Sequence, residues 1–507
     1  MRSLNSIKNI MSSVGITLVI SVLGFLTRKI FLDTLGEEYL GLNGLLMNVI
    51  GMLSLVESGV GVSIVYNLYK PLANGNKPEI IALVQLYRKI YRYIAIGIIL
   101  LSIAMFPFLK YLIHDDSGIS YIGIVYFIFV GNSVIGYLMA DKLSLINSDQ
   151  KQYKLAGYNL TYQLLMYGVK ILILVYLKNY IMFLLVELMC NGLYNLLIRR
   201  KVYSLYPYIN TKIRYSVPTD VRKNIVRNVK ALFLTSIGGY LVHSTDNILI
   251  SSFVGLGVVG LYSNYTLIVN QVKALANPLM SGVKDSVGNL VSSESKEKQY
   301  EVFNVLFFVN FVVISSICIL LFCLLNPFIE WWLGNKYVFE IWIVAIICLN
   351  LYVDMIRSSA LTFKTVSGIF VQDRYVALIT GIVNLGVSII LVRYLGLAGI
   401  LLGTSIAFLS TNSWNWPRLI FKYTFGKSPY IYYRKYLMYA LLTTIMCSGC
   451  NYINGLLFGQ RCSVVSILCR GMIDITIIAA VYFVLFRHTN EYMYSIKIIS
   501  AVIRHRK

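Results

Sequence analysis

The sequence has few charged residues for its length. Of its 507 residues, 13% are charged and 57% are hydrophobic, and the mean hydropathy is +0.70. A soluble domain carries about 25% charged residues, so this chain has too little polar surface to cover several soluble domains. The composition therefore excludes a soluble enzyme, a disordered protein and a secreted disulfide scaffold, and it indicates a chain solvated largely by lipid.

Residues that commonly hold cofactors are also scarce. The eight cysteines fall mostly inside apolar runs, where thiols behave as small hydrophobic side chains. The four histidines lack metal-ligand spacing, and Cys447-x-x-Cys450 has no second pair at zinc-finger spacing. The sequence contains no G-x-x-x-x-G-K-[ST] loop, hence no sign of an attached ATPase. We therefore expect no metal and no cofactor.

Long apolar runs fill most of the chain. Crossing about 30 Å of hydrocarbon takes roughly 20 helical residues. Fourteen stretches reach this length, at 12–32, 40–64, 93–113, 121–140, 157–177, 179–198, 231–254, 258–281, 302–325, 338–356, 376–394, 396–416, 436–457 and 464–486. The first run has no small-residue cleavage site, so we interpret it as a retained helix. The sequence predicts an all-α polytopic membrane protein of about 14 transmembrane helices.

Basic residues are distributed very unevenly between the two sides of this topology. The net charge is +23, and with the N-terminus inside, the even-numbered connections and both termini hold 35 basic residues against five in the opposite connections. The positive-inside rule therefore predicts that both termini are cytoplasmic. Because this bias explains the excess of basic residues, we expect no nucleic-acid partner.

A short internal repeat suggests that the chain is duplicated. The segments RKIFLDTLGEEYLGLNGL (28–45) and NILISSFVGLGVVGLYSN (247–264) align at an offset of 219, which places Gly41 on Gly260 and Gly36 on Gly255. Each segment lies in the first hairpin of a set of six spans. Duplicated bundles are common among transporters. We predict two pseudo-symmetric six-helix bundles and a C-terminal helix pair, divided as bundle 1–198, cytoplasmic basic linker 199–230, bundle 231–420, helix pair 421–486 and basic tail 487–507.

Four cations within the predicted spans are candidates for binding a substrate. A charge at hydrocarbon depth costs several kcal/mol unless it faces a cavity or a partner. The candidates are Arg28 and Lys29 in span one, Lys170 in span five and Lys273 in span eight. Arg28 is preferred over Lys29, because a guanidinium binds phosphate through a bidentate fork. Snorkelling to the headgroups is the alternative for Arg28 and Lys273.

Three carboxylates within the spans are candidates for ion coupling. These are Glu57, Glu187 and Asp246, the last within the polar island HSTDN of an otherwise apolar run. A carboxylate in that setting can bind and release a proton, although a structural carboxylate bonded to hydroxyl groups is the alternative. Two further pairs have helical spacing and are predicted to be structural ion pairs, Arg470 with Asp474 and Asp354 with Arg357.

The runs 27–61 (TRKIFLDTLGEEYLGLNGLLMNVIGMLSLVESGVG), 244–269 (STDNILISSFVGLGVVGLYSNYTLIV) and 368–375 (GIFVQDRY) resemble one known family. They are similar to the polysaccharide transporters, the flippases for oligosaccharide-lipids of the O-antigen, capsule and teichoic type. That family lies within the multidrug/oligosaccharidyl-lipid/polysaccharide exporter superfamily. The resemblance covers most of the chain and is weakest over the last two spans.

The resemblance implies an alternating-access transporter rather than an enzyme. Its substrate would be an undecaprenyl-diphosphate-linked oligosaccharide, moved across the bacterial plasma (inner) membrane for surface polysaccharide biosynthesis. Basic residues of a central cavity would bind the diphosphate, and Arg28 matches a first-helix arginine of the relatives. The last two helices would hold the lipid tail. Membrane lipids, a polysaccharide polymerase and glycosyltransferases are the implied partners of a monomer.

Two other functions are alternatives to a flippase. A multidrug or cation antiporter of the same superfamily would have the same fold. A membrane glycosyltransferase is disfavoured, because the predicted outer connections are too short to build a sugar-nucleotide site.

The charge distribution makes a prediction about topology. Cysteines introduced beside Lys212 and Arg434 should be protected from an impermeant thiol reagent added to intact cells, whereas one beside Lys336 should react. The parent protein provides the background for reaction of native thiols. Labelling beside Lys212 in intact cells would contradict the predicted orientation.

Overall fold

A computed structural model describes residues 2–113, 121–281, 287–288, 290–291, 294–369, 372–459 and 462–504, and these are almost wholly helical. No strand occurs among them. This follows from the composition, because a helix satisfies its backbone hydrogen bonds internally, as lipid requires. The chain forms two compact units, residues 1–260 and 261–507. The finer division predicted from the sequence remains a prediction.

The first unit contains eleven described helices and the start of a twelfth. They are α1 (Arg2–Leu35), α2 (Glu37–Leu53), α3 (Val60–Asn74), α4 (Lys77–Met105), α5 (Leu109–Leu112), α6 (Ile122–Tyr137), α7 (Ala140–Ser148), α8 (Ala156–Leu172), α9 (Tyr180–Leu205), α10 (Thr219–His243), α11 (Asp246–Phe253) and α12 (Leu256–Ser281). Its core includes Ile64, Leu83, Tyr87 and Ile198, all fully buried where α3, α4 and α9 meet.

The second unit contains the rest of α12 and the remaining described helices. These are α13 (Lys296–Leu333), α14 (Ile341–Ile356), α15 (Ser358–Val366), α16 (Val376–Leu395), α17 (Leu397–Ser410), α18 (Asn412–Ile420), α19 (Tyr430–Phe458), α20 (Val464–Phe486) and α21 (Asn490–Arg504). The C-terminal pair α19 and α20 packs on α13. Tyr439 stacks on Phe311 with ring centroids 3.9 Å apart, and the Tyr482 hydroxyl lies 2.7 Å from that of Ser315.

Ten helical segments of the described residues are long and apolar enough to cross a membrane, or eleven if the bent pair α6–α7 is counted. They coincide with eleven of the fourteen predicted spans, so a multi-pass membrane protein is confirmed, while the count of fourteen is not. The other three predicted spans fall on α1, α10 with α11, and α12.

Both ends of the segment predicted as the basic linker, 199–230, are helical. Helix α9 continues to Leu205 and α10 begins at Thr219, so only 206–218 connect them. This connection lies against the first unit, since the Gln85 amide nitrogen donates to the Ile213 carbonyl at 2.7 Å. The Tyr206 hydroxyl donates to Asp149 at 2.6 Å. Burial and the neighbouring carboxylate raise the pKa of Tyr206, so the phenol remains a donor at neutral pH.

The two units repeat the same local geometry at an offset of 218 residues. The turn after α7 places Gln150 at φ 55°, and the turn after α15 places Gly368 at φ 69°. The Lys151 amide donates to the Ile146 carbonyl at 3.1 Å, and the Ile369 amide donates to the Lys364 carbonyl at 3.1 Å. The short helices α7 and α15 that precede these turns both have nine residues. This correspondence supports the duplication predicted from the first hairpins.

The repeated glycines of those hairpins meet at a helix crossing within the first unit. A Cβ atom on Gly41 would lie 1.8 Å from the carbonyl oxygen of Leu256, and one on Gly260 would lie 2.2 Å from that of Glu37. Glu37 and Leu256 are themselves 219 positions apart, so the contact is reciprocal. Only glycine allows the α2 backbone and the first turn of α12 to approach so closely.

This crossing predicts the effect of one added methyl group. Gly41→Ala and Gly260→Ala should each destabilise the protein by about 1–3 kcal/mol or more, because the methyl group meets backbone that cannot rotate away. Thermal unfolding of the detergent-purified protein measures this. Gly97→Ala in α4 is the matched control, since a Cβ there meets nothing within 4 Å. Equal melting of Gly41→Ala and Gly97→Ala would contradict the crossing.

Candidate functional site

A basic pocket in the first unit combines residues from three regions of the sequence. Its volume is about 430 Å³, and four cations line it: Arg88 and Arg92 of α4, Lys142 of α7, and Arg199 of α9. These four residues with Asp141 are called the basic pocket below. By the charge count, all of its cations belong to the cytoplasmic side of the predicted topology.

Asp141 pairs with two of the four cations of the pocket. Its carboxylate accepts from Arg88 Nε at 3.1 Å and from Lys142 Nζ at 3.0 Å, and its side chain is 2% exposed. The helix breaks after α6, which places Asp141 in the first turn of α7. A helix N-terminus favours a carboxylate there because its amide groups carry partial positive charge. The Arg88 Nη2 atom is buried and has no hydrogen-bond partner among the described residues.

The pocket carries an excess of positive charge. Four cations against one carboxylate leave a formal charge of +3 among its charged lining residues. Arg199 and Lys142 both lie over the Tyr203 ring, at 5.7 and 5.9 Å from its centroid. Arginine side chains present planar donor forks that match phosphate oxygens. The arrangement can therefore bind a phosphate or diphosphate group and should repel a cation.

A polar stripe runs along α9 from the pocket into the unit. It consists of Glu187, Asn191, Asn195 and Arg199, at intervals of four residues. The Asn195 amide donates to Asn191 at 2.9 Å, and Asn191 donates to Asn132 of α6, also at 2.9 Å. Twelve helical residues extend about 18 Å, so the stripe reaches deep into the unit.

The stripe ends at an ion pair between two sequence-predicted site residues. Lys170 of α8 pairs with Glu187 of α9, and its Nζ atom also lies 4.3 Å from the centroid of the Phe183 ring. The Lys170 side chain is 8% exposed and that of Glu187 is 36% exposed. Lys170 and Glu187 were predicted separately, as substrate-binding and ion-coupling residues. In the structure they form one ion pair, in which each side chain compensates the other's charge.

Glu57 lies where the second predicted span is broken. Helix α2 ends at Leu53, a 3₁₀ turn covers Ser54–Glu57, and α3 begins at Val60. The Glu57 carboxylate accepts from the Tyr91 hydroxyl at 3.0 Å. Tyr91 itself lines the basic pocket, so this coupling candidate is one hydrogen bond away from the pocket.

The two cations of α1 have different environments. Arg28 is half-buried and Lys29 is exposed. Three residues beyond Arg28, Phe31 packs edge-on against Phe183 with ring centroids 5.2 Å apart. The difference in exposure agrees with the expectation that adjacent helical cations point in different directions, and the roles of both residues remain predictions.

Asp246 also lies at a break in a predicted span. Helix α10 ends at His243, α11 begins at Asp246, and the Thr245 hydroxyl donates to the Leu241 carbonyl at 2.8 Å. Asp246 is buried in the first turn of α11, where a carboxylate is favoured. Its proposed role in ion coupling remains a prediction.

Lys273 belongs to a polar cluster in the second unit. Its Nζ atom lies 2.9 Å from the Asp354 carboxylate, which also binds Arg357 at 2.6 Å. The pairing of Asp354 with Arg357 was predicted from their spacing and is confirmed. The Arg357 guanidinium stacks over the Phe408 ring, 3.9 Å from its centroid. Lys273 is therefore part of a triad of two cations and one carboxylate rather than an isolated cation.

The GIFVQDRY segment contributes a second carboxylate near this cluster. Asp373 pairs with Lys364 and accepts from the Trp416 indole nitrogen at 3.0 Å. Lys364 lies 4.6 Å from the centroid of the same indole ring. These contacts give Asp373 a structural role in fixing α18 against α15.

Arg470 and Asp474 of α20 both contact the C-terminal end of α19. The Asn454 amide donates to Asp474 at 2.9 Å, and Arg470 Nη2 donates to the Gly459 carbonyl at 2.9 Å. These bonds hold both residues to the end of α19, and the ion pair between Arg470 and Asp474 remains a prediction. Among the described ranges, no group of three or more histidine, cysteine or acidic residues could hold a metal ion.

Neither the basic pocket nor the polar stripe was predicted from the sequence. The pocket joins residues separated by more than 100 positions, so no local pattern indicates it. The stripe did leave a signal, because Glu187, Asn191, Asn195 and Arg199 recur every four residues within one apolar span. Polar residues at that interval share one face of a helix.

The fold is similar to those of known transporters. It matches a lipid II flippase, MurJ in an inward closed conformation, with a TM-score of 0.68 and 15% identity over 94% of this chain and 99% of that one. An inward-facing multidrug resistance MATE family transporter of the MOP superfamily matches with a TM-score of 0.54 and 15% identity, covering 79% of this chain and 94% of that one. The Vibrio cholerae MATE transporter VcmN matches with a TM-score of 0.52 and 13% identity, covering 85% of this chain and 99% of that one.

These likenesses define the fold: it is all-α and of the kind seen in MurJ and in MATE transporters. Residues 90–341, just under half of the chain, match the family described as polysaccharide biosynthesis protein. The resemblance to the polysaccharide transporters is therefore confirmed. Comparison with curated protein sequences gives no match.

The pairing of Lys170 with Glu187 predicts a compensating double substitution. Glu187→Gln should destabilise the protein by about 2–4 kcal/mol, because it leaves the buried Lys170 charge without its partner. Lys170→Met should destabilise it less, because the Glu187 side chain is 36% exposed. The double variant should recover part of this loss. Thermal unfolding in detergent measures all three, with Lys110→Met at an exposed site as the control. Strictly additive losses would contradict the pair.

Proposed function

We propose that the protein is a flippase for an undecaprenyl-diphosphate-linked oligosaccharide. It would move this lipid from the inner to the outer leaflet of the bacterial plasma membrane by alternating access, with both termini in the cytoplasm. The family match and the fold support a lipid-linked flippase or transporter. The observation that carries the choice of substrate is the basic pocket and its formal charge of +3.

The charge of the pocket favours a diphosphate lipid over a cationic drug. Two unit charges 4 Å apart interact by about 4 kcal/mol at an effective dielectric of 20, so the excess cations attract a diphosphate and repel a cation. Arg88 contributes a buried guanidinium nitrogen that a phosphate oxygen can satisfy. The alternative, a multidrug or cation antiporter, would need a pocket of the opposite charge to bind its substrate.

The remaining candidates fit later steps of the same transport. The polar stripe of α9 offers amide groups to sugar hydroxyls above the pocket, and it ends at Lys170 and Glu187. Arg28, Lys29 and Lys273 remain proposed contacts of the diphosphate at later steps. Glu57, Asp246 and Glu187 remain the proposed ion-coupling carboxylates. No chemical step is required of any residue.

The biosynthetic setting follows from the substrate. A lipid-linked oligosaccharide is assembled by glycosyltransferases before it is flipped and is polymerised after it is flipped, so these enzymes are the proposed partners. We propose a monomer as the functional unit.

Substitutions at the pocket test this function. Arg92→Ala and Arg199→Ala should each slow flipping about tenfold or more, because a hydrogen bond to a charged group contributes about 1.5–3 kcal/mol. Both residues line the pocket without taking part in the Asp141 pairs, so folding should be retained. The measurement is the transfer of a polyprenyl-diphosphate-linked sugar to the outer leaflet of proteoliposomes, followed by a membrane-impermeant sugar-binding protein.

Neighbouring cations provide the matched controls for that assay. Lys89 and Arg200 are exposed, adjacent in sequence to pocket residues, and absent from the pocket lining. Lys89→Ala and Arg200→Ala should flip at the parent rate. Accumulation of a cationic dye by the same vesicles, without any flipping, would contradict the proposal and favour the antiporter.

A further inference from the structure

A second cavity of the first unit is apolar and lies on the other side of α9. Its volume is about 560 Å³, and it is a groove between α8 and α9. On α8 its lining runs from Gly157 to Leu165, and on α9 from Cys190 to Leu197. Eight helical residues extend about 12 Å, so the groove follows both helices for about two turns.

The surfaces of this groove suit a hydrocarbon chain. Both helices belong to segments apolar and long enough to cross a membrane, so the groove opens where lipid chains lie. Leu165 and Leu193 are each 61% exposed in its walls. Tyr162 and Tyr194 stack across it with ring centroids 4.5 Å apart. A Cβ atom on Gly157 would meet nothing within 4 Å, so the space beside it is open.

The groove has a cationic end, on the same helix, α9, as part of the basic pocket. Lys154 lines it, and Lys201 Nζ lies 5.8 Å from the centroid of the Tyr158 ring. Lys201 is two residues from Arg199, which belongs to the basic pocket on the opposite face of α9. A helix with its side chains is about 10–12 Å across, a width that a few isoprene units can span.

We propose that this groove holds the isoprenoid chain of the transported lipid. The proposal rests on the function proposed above, and it places the chain beside α9 rather than in the C-terminal helix pair implied by the family resemblance. Lys154 and Lys201 mark the end of the groove nearest the diphosphate. The chain lies against α8 and α9 while the diphosphate is held in the basic pocket, so α9 separates the apolar and anionic parts of one ligand.

The open space at Gly157 allows a direct test. Gly157→Trp fills the groove without meeting backbone, and Gly168→Trp is its matched control, since Gly168 lies on nearly the same face of α8 outside the groove lining and has equally open space. We expect Gly157→Trp to slow flipping of the long-chain lipid at least tenfold in the proteoliposome assay, and Gly168→Trp to leave it unchanged. Equal slowing by both would overturn the proposal.

Photocrosslinking locates the chain independently of transport. The probe is a polyprenyl diphosphate with a diazirine in its hydrocarbon chain, bound to the reconstituted full-length protein. Adducts on the peptides containing Leu165 and Leu193, lost in Gly157→Trp, are expected. Adducts confined to 430–486 in a protein that still flips would overturn the groove and leave the proposed function intact. The groove proposal would also fail if a diazirine phosphatidylglycerol labelled the same peptides and excess polyprenyl diphosphate did not compete.

The binding of a short-chain probe separates the two proposals. A water-soluble short-chain prenyl diphosphate reaches the basic pocket without filling the groove, so Gly157→Trp should bind it as the parent does. Absence of flipping and of diphosphate binding in the parent protein would overturn the proposed function itself.

Discussion

The cost of placing charge within membrane-spanning helices organises this structure. A charged side chain at hydrocarbon depth costs several kcal/mol unless another group compensates it. Lys170 pairs with Glu187, and Lys273 pairs with Asp354. In the basic pocket, whose cations the charge count assigns to the cytoplasmic connections, Asp141 pairs with both Arg88 and Lys142. Compensation is incomplete where cations outnumber carboxylates. The basic pocket is such a place, and an anionic ligand would supply the missing charge.

Duplication supplies the framework, and the two copies differ in chemistry. The positions 218 residues after Lys170 and Glu187 are Ser388 and Ser405, both buried and uncharged, and those after Asp141 and Lys142 are Ser359 and Ala360. The turns and short helices at these places nevertheless repeat. The duplicated backbone is thus retained in both units, while the charged groups of the pocket and of the α8–α9 pair occur only in the first copy. Function in a duplicated fold depends on such local differences.

The sequence predicts the structural features that depend on residues close together in the chain. Apolar runs located the helices, because a span needs a continuous stretch, and the spacing of Asp354 and Arg357 indicated their ion pair. The glycines of the first hairpins indicated the duplication, and Gly41 with Gly260 proved to mark a backbone contact. The other three predicted spans, on α1, on α10 with α11, and on α12, remain predictions.

Contacts between distant segments could not be predicted in this way. Lys170 and Glu187 lie on different helices, and Lys273 and Asp354 are 81 positions apart. Each was therefore judged as a single charge, with no partner to compensate it. The basic pocket was hidden for a further reason: the cytoplasmic charge bias explains its arginines equally well, and only tertiary structure shows which of the many cytoplasmic cations converge.

The central claim is that the excess charge of the basic pocket recognises a diphosphate. Equilibrium binding of a water-soluble short-chain prenyl diphosphate to the purified protein tests it most directly, compared with the matching monophosphate and the neutral alcohol over a range of salt concentrations. The account predicts that the diphosphate binds most tightly and that its affinity falls as salt screens the pocket. Equal binding of all three ligands, independent of salt, would contradict it.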